Sequence, residues 1–210
     1  MTDTNLDNLK GFSDALRKAP TVAQEGAREA LMVAAEMALD QGREQITKNL
    51  NLPREYVYRH LNIRKNPTRQ DLFAVIAARR RPTLATRYGA DQATTRATST
   101  RGLTGDPYRG IPAGQKAAGS TAWSATRGGS KKAWRRTFFI KGKDSGAWIM
   151  IERKKAKTPG MSAKEDWKQN LSAVVGPSID QNWELVREDI APAAMALAQE
   201  RFLEYLEANL

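Results

Sequence analysis

The chain has 210 residues, 40% of them apolar and 27% charged, with no cysteine, one histidine and a formal net charge of +11. A real hydrophobic core can form at this size, whereas a disulfide framework, thiolate chemistry and histidine-rich zinc sites are excluded. No apolar run approaches the roughly 18 residues that span a bilayer, and the first residues lack the basic and apolar regions of a signal peptide, so neither a membrane partner nor secretion is expected.

Leu6, Leu9, Phe12 and Leu16 are spaced as one face of a short helix. Pro20 is expected to break or restart it. From Thr21 to about Leu50, Ala23, Ala27, Ala30, Leu31, Ala34, Ala38 and Ile46 recur at helical spacing, which predicts a long helix with an alanine-rich, core-facing stripe. Asn51 then marks a boundary, with Pro53 in the first turn of a short helix and Glu55 near its positive end. Asp71 to Ala78 is rich in β-formers and predicts a strand that runs into Arg79, Arg80 and Arg81.

Residues 89–130 hold 8 of the 15 glycines and almost no large aliphatics. They predict an extended arm or long β-hairpin that orders on contact with a partner. Ala133 to Ile140 and Ala147 to Lys154 form a β-hairpin around a Lys141–Gly146 turn. Lys154 to Lys164 reads as a basic loop, and Leu171 to Val175 as a fourth short strand ended by Gly176 and Pro177. Ser178 is the expected N-cap of a last helix, whose apolar stripe includes Trp183, Val186, Ile190 and Leu197. Pro192 lies inside that stripe and is expected to kink or split the helix.

These elements predict one α+β domain over 1–210. N-terminal helices occupy 1–50, a basic short helix and strand 51–88, the arm 89–130, the hairpin and strand 131–176, and the final helix 177–210. The long helices at the two ends pack on a small, mostly antiparallel sheet with a long Gly-rich insertion.

Charge is divided along the chain. Residues 54–157 hold 24 Lys/Arg and 6 Asp/Glu, a formal +18, while the flanks hold 10 Lys/Arg and 17 Asp/Glu, a formal −7. The basic clusters stand at strand ends and turns: Arg79, Arg80, Arg81; Lys131, Lys132; Arg135, Arg136; Arg153, Lys154, Lys155. Such placement suits contact with a phosphate backbone. Some of these residues serve equally to blunt strand edges. No helix-turn-helix or zinc-finger pattern supports base readout, and the aromatic residues are not spaced for base stacking.

Catalytic signals are absent from the sequence. There is no P-loop, GxGxxG or GxSxG motif, so no catalytic, cofactor-binding or metal-binding residue is assigned. Gly128-Gly129-Ser130-Lys131-Lys132 reads as a flexible turn. The carboxylates of the basic segment are scattered and lie mostly beside Lys or Arg, which leaves a metal-dependent nuclease as the weakest alternative.

Two stretches resemble the prophage minor tail protein Z family. Leu50-Asn-Leu-Pro-Arg-Glu-Tyr-Val-Tyr-Arg-His-Leu-Asn-Ile-Arg-Lys is similar to its "N-(I/L)-P, basic helix, I-R-x-(R/K)" segment, matched at Asn51, Pro53 and Arg64. Val174-Val-Gly-Pro-Ser-Ile is similar to its "Y-G-P-S-I" turn, matched at Gly176, Pro177 and Ser178, with Val175 where the family often has an aromatic residue. The order of elements also agrees. The resemblance implies a non-enzymatic virion protein of a long-tailed phage, assembled in the host cytoplasm and acting in tail completion at the head–tail junction. Such neck proteins form homo-oligomeric rings beside the tail terminator, tail tube and head-completion proteins. The basic segment is then expected to face packaged double-stranded DNA, with the acidic helices as outer wall and subunit contacts. Attraction between the basic segment and the acidic flank of a neighbouring subunit is a competing account of the same charge pattern. A free, sequence-independent DNA-binding protein is the alternative function.

Overall fold

A computed structural model describes residues 4–98, 104–155 and 159–209, with side chains from residue 19 onward except Trp167. The fold is α+β. The described helices are α1 (Thr4–Asn49), α2 (Arg54–His60), α3 (Ala163–Asn170) and α4 (Ile179–Asn209). The strands are β1 (Leu61–Lys65), β2 (Val75–Ala78), β3 (Thr83–Leu84), β4 (Gln92–Arg96), β5 (Gln115–Ser120), β6 (Thr137–Lys141), β7 (Trp148–Arg153), β8 (Leu171–Ala173) and β9 (Val175–Gly176). They pair antiparallel in four small sheets rather than one: β1–β2, β3–β9, β4–β5 and β6–β7–β8.

The chain forms two compact units that are discontinuous in sequence. Unit 1 comprises residues 1–45, 58–79 and 182–210; unit 2 comprises 46–57 and 80–181. Unit 2 holds 22 Lys/Arg against 8 Asp/Glu, a formal +14, and unit 1 holds 12 against 15, a formal −3.

In unit 1, the small residues of α1 receive the aromatic residues of α4. A Cβ on Gly26 would stand 2.6 Å from the Tyr205 ring, and one on Gly42 would collide with Trp183. Ala30, Ala34, Ala35 and Ala38 are buried on the same helix, with Val186 and Ile190 buried on α4. The alanine stripe is thus core-facing, because small side chains let two helix backbones approach. Arg43 secures the end of α2: its guanidinium donates to the Tyr58 carbonyl at 3.2 Å and the Leu61 carbonyl at 3.0 Å.

Both prolines expected to interrupt helices are accommodated. α1 continues through Pro20 and α4 through Pro192. A proline removes one hydrogen bond from the ladder, and the intact turns on each side hold the helix together. The apolar face expected at Leu6–Leu16 lies outside the described side chains.

Unit 2 is built around Phe139, Met150 and Ile151 of the β6–β7 hairpin, with Ile46, Leu50, Leu52, Val57, Tyr88, Trp123, Val174 and Ile179 also buried. Phe139 faces Met150 in register. The hairpin turn closes through Gly142 N–H to the Ala147 carbonyl at 2.8 Å. Two strands begin later than their sequence patterns suggest. Asp71–Ala74 precedes β2 without strand pairing, and residues 133–136 precede β6 outside any strand, with a turn at 135–136. Leu171 to Val175 is divided between β8 and β9, which belong to different sheets.

The described part of the Gly-rich segment takes the hairpin form, as β4 and β5. It is tied to unit 2 by Asn51, whose amide donates to the Ser124 and Thr126 carbonyls at 3.0 and 3.1 Å. α3 begins at the end of the segment read as a basic loop, with its cap and first two residues inside that segment and the rest beyond it. Its signal was present in the sequence as Ser162-x-x-Glu165, a capping box in which each residue bonds the other's backbone. These bonds hold the Glu165 carboxyl below the usual carboxylate range, the Ser162 hydroxyl first and its backbone N–H second.

Candidate polyanion-binding surface

Six cations from three separate segments of unit 2 line one concave surface of about 440 Å³: Arg109, Arg135, Arg136, Arg153, Lys154 and Lys155. Ala117, Gly119, Thr137 and Phe138 complete the lining, with no carboxylate among the described lining residues. Each cation is placed by a local device.

Arg109 ends a 3₁₀ turn over Pro107–Arg109. The Asp106 side chain accepts from the Arg109 backbone N–H at 3.2 Å, and Gly110 leaves the turn at φ 63°. The Arg109 guanidinium lies over the Phe138 ring, 5.1 Å from its centroid. Its Nε–H is buried without an acceptor among the described residues, so the ring and not a carboxylate orients this side chain.

Arg135 and Arg136 stand on the turn before β6. Ser120, at the end of β5, locks that turn from both directions. Its N–H donates to the Trp134 carbonyl at 3.0 Å, and its hydroxyl accepts from the Trp134 N–H at 3.1 Å. Thr137 Oγ1 donates to the same carbonyl at 2.7 Å. Gly119 makes the approach possible. At φ 97° it lies against the Trp134 carbonyl and the Arg135 Cα, where a Cβ would collide with both.

Arg153 ends β7, and Lys154 and Lys155 follow it. The Arg153 N–H donates to the Arg136 carbonyl at 3.0 Å, and the Lys154 N–H to the Asn170 carbonyl at 2.8 Å. Arg153 is the one lining cation with a described ion pair. Its Nη1 donates to both oxygens of Asp166, at 3.0 and 3.1 Å, and Asn170 Nδ2 donates to the same carboxylate at 2.9 Å. Asp166 is 5% exposed, so this pair is a structural clamp between α3 and β7.

The remaining sequence candidates lie elsewhere. Arg79 belongs to unit 1, where its guanidinium donates to His60 Nε2 at 3.0 Å, which requires that nitrogen to be unprotonated. Arg80 pairs with Asp180 at 3.6 Å and is 91% exposed, and Arg81 is exposed. Lys131 lines a different concave surface, and Lys132 pairs through its backbone with Trp123. Five of the ten cations singled out by sequence therefore converge, joined by Arg109. The turn signal Asp106-Pro107-x-x-Gly110 marked Arg109's position, but nothing local marked its destination.

The positions shared with the tail-protein motif have local structural roles. Asn51 ties down the 124–126 segment. Pro53 starts α2, its carbonyl accepting from the Tyr56 N–H at 2.9 Å, and Arg64 is exposed on β1. Ser178 caps α4: its hydroxyl accepts from the Gln181 N–H at 3.1 Å, while its own N–H donates to Gln181 Oε1 at 2.9 Å.

Chemically, the surface offers N–H donors and positive charge with a ring for alignment. Among the described residues no three His, Cys, Asp or Glu side chains come together as a metal site, and no helix is long and apolar enough to cross a membrane. No protein-family model, curated protein or solved structure matches the chain.

Proposed function

We propose that this chain is a structural, non-enzymatic component of a long-tailed phage particle. It acts in tail completion at the head–tail junction, as a homo-oligomeric ring, and sets the basic surface of unit 2 against the packaged duplex. The observation that carries the reading is the concave surface of Arg109, Arg135, Arg136, Arg153, Lys154 and Lys155. Five of these lack a described ion pair. Clustered cations repel one another, and a polyanion relieves that repulsion while releasing its own counterions. The donors suit phosphate oxygens and carry no arrangement for reading base edges. The resemblance at residues 50–65 and 174–179 supports placement at the junction, next to the tail terminator and head-completion proteins.

A DNA-binding protein that works outside a particle would use the same surface. Fractionation of intact particles separates the two. Presence at a fixed copy number, with a ring in solution, supports the junction role, and absence from particles rejects it. For the DNA contact, affinity for an arbitrary duplex is measured against salt. The expected slope is steep and independent of sequence, and changing Arg109, Arg135, Arg136, Lys154 and Lys155 to Gln flattens it. An unchanged slope in that variant rejects the surface.

A further inference from the structure

Unit 2 has a second concave surface, also about 440 Å³, lined by Arg87, Arg127 and Lys131 together with Asn51, Leu52, Tyr88 and Trp123. No described carboxylate lines it, and none of the three cations has a described ion pair.

The two guanidinium groups are held from behind. Arg127 is anchored by its backbone N–H, which donates to the Asn49 carbonyl at 2.9 Å, and by Nε, which donates to the Leu50 carbonyl at 3.3 Å. Its terminal nitrogens have no described partner. Arg87, at the end of a 3₁₀ turn over Ala85–Tyr88, lies 5.7 Å from the centroid of the Tyr56 ring. Tyr88 and Trp123 contribute aromatic rings to the lining. Trp123 stacks on Tyr88 at 6.2 Å and is 9% exposed, and its indole N–H has no acceptor among the described residues. Two guanidinium forks and one ammonium around a single hollow supply donors suited to an anion.

We propose that this hollow binds one phosphate group, through Arg87, Arg127 and Lys131, as a second contact on the same polyanion. The proposal rests on the reading of unit 2 as a DNA-contacting surface. Unit 2 as a whole carries +14 and no described carboxylate lines either of its cationic hollows, which suits a repeating polyanion such as a nucleic-acid backbone. A repeating polyanion engages both at once, and the first contact raises the effective concentration for the second.

The test measures the salt dependence of duplex binding for the full chain and for the Arg87→Gln/Arg127→Gln/Lys131→Gln variant. Loss of one phosphate contact lowers the slope magnitude by about 0.9. Lys131→Gln alone, at an exposed side chain, serves as a second variant with minimal risk to folding. A parallel titration follows the tryptophan emission with inorganic phosphate, using Trp123→Phe to isolate the Trp123 signal. A reduced slope with both variants, and a Trp123 signal that saturates with phosphate, is the expected result. Wild-type slopes in both variants overturn the site, while the DNA reading survives if the Arg109–Lys155 surface variant still flattens the slope. A phosphate response without a change in slope overturns the backbone contact in favour of a free anion. Binding of polyglutamate in place of DNA overturns both.

Discussion

The Tyr88 hydroxyl donates to the Pro177 carbonyl at 2.6 Å, joining residues 89 positions apart. The same ring lies against Gly176, where a Cβ would stand 2.5 Å from Tyr88 Cε2. The Gly-Pro-Ser turn thus has three separate tasks: Gly176 admits a ring, Pro177 accepts its hydrogen bond, and Ser178 caps α4.

Gly176→Ala is expected to destabilise the protein by about 1–3 kcal/mol, the usual cost of overpacking a well-filled site. Urea denaturation measures it. In a double-mutant cycle with Tyr88→Ala, most of that cost should disappear, because the offending ring is gone. Additive effects would show that Tyr88 is not what makes Gly176 necessary.

Burial pushes the Tyr88 phenol up to about 12 from an ordinary value near 10. A folded-state pKa above the unfolded one contributes stability that is complete below pH 10 and lost as pH rises from 10 towards 12. Tyr88→Phe should cost about 1 kcal/mol at neutral pH through the Pro177 bond. It should also show a shallower alkaline loss of stability than the wild type between pH 10 and 12. Parallel curves for the two proteins would contradict the assignment.

Gly119→Ala tests the support of the basic surface without touching a cation. A side chain at φ 97° is strained, by about 1–3 kcal/mol. Its Cβ also meets the Trp134 carbonyl and the Arg135 Cα. Thermal denaturation should show the destabilisation, and duplex affinity should fall at temperatures where the variant is still folded. Unchanged affinity would mean that the 133–136 segment does not position the binding groups.

Asp166→Asn separates clamp from charge. It removes the carboxylate that holds Arg153, at a cost of about 1–3 kcal/mol. It also removes one negative charge beside the surface. Stability should fall while duplex affinity at low salt stays level or rises. A variant that is stable but binds more weakly would place Asp166 in binding rather than in structure.

Much of this architecture is legible along the chain. The alanine spacing of α1, the Ser178 cap and the β6–β7 turn are local signals that mark these features, although β6 itself starts later than its pattern. Pro20 does not break α1 and Pro192 does not split α4, because the intact helix on both sides offsets one lost hydrogen bond. The β8–β9 division was hidden for a related reason: Leu171–Val175 is one apolar run, and only its partners assign it to two sheets.

The sequence by itself determined that charge is segregated, that the chain has no cysteine, and where the two long helices and the β6–β7 turn lie, since these depend on composition and on spacing of a few residues. Tertiary structure alone decided which cations act together. Arg109, Arg135 and Arg153 share a surface because Ser120 locks the 133–136 segment, Arg136 pairs with Arg153, and Phe138 aligns Arg109. Arg79 and Arg80, adjacent in sequence, fall in different units. Electrostatic potential depends on distance in space, and long-range pairing rather than sequence order sets those distances.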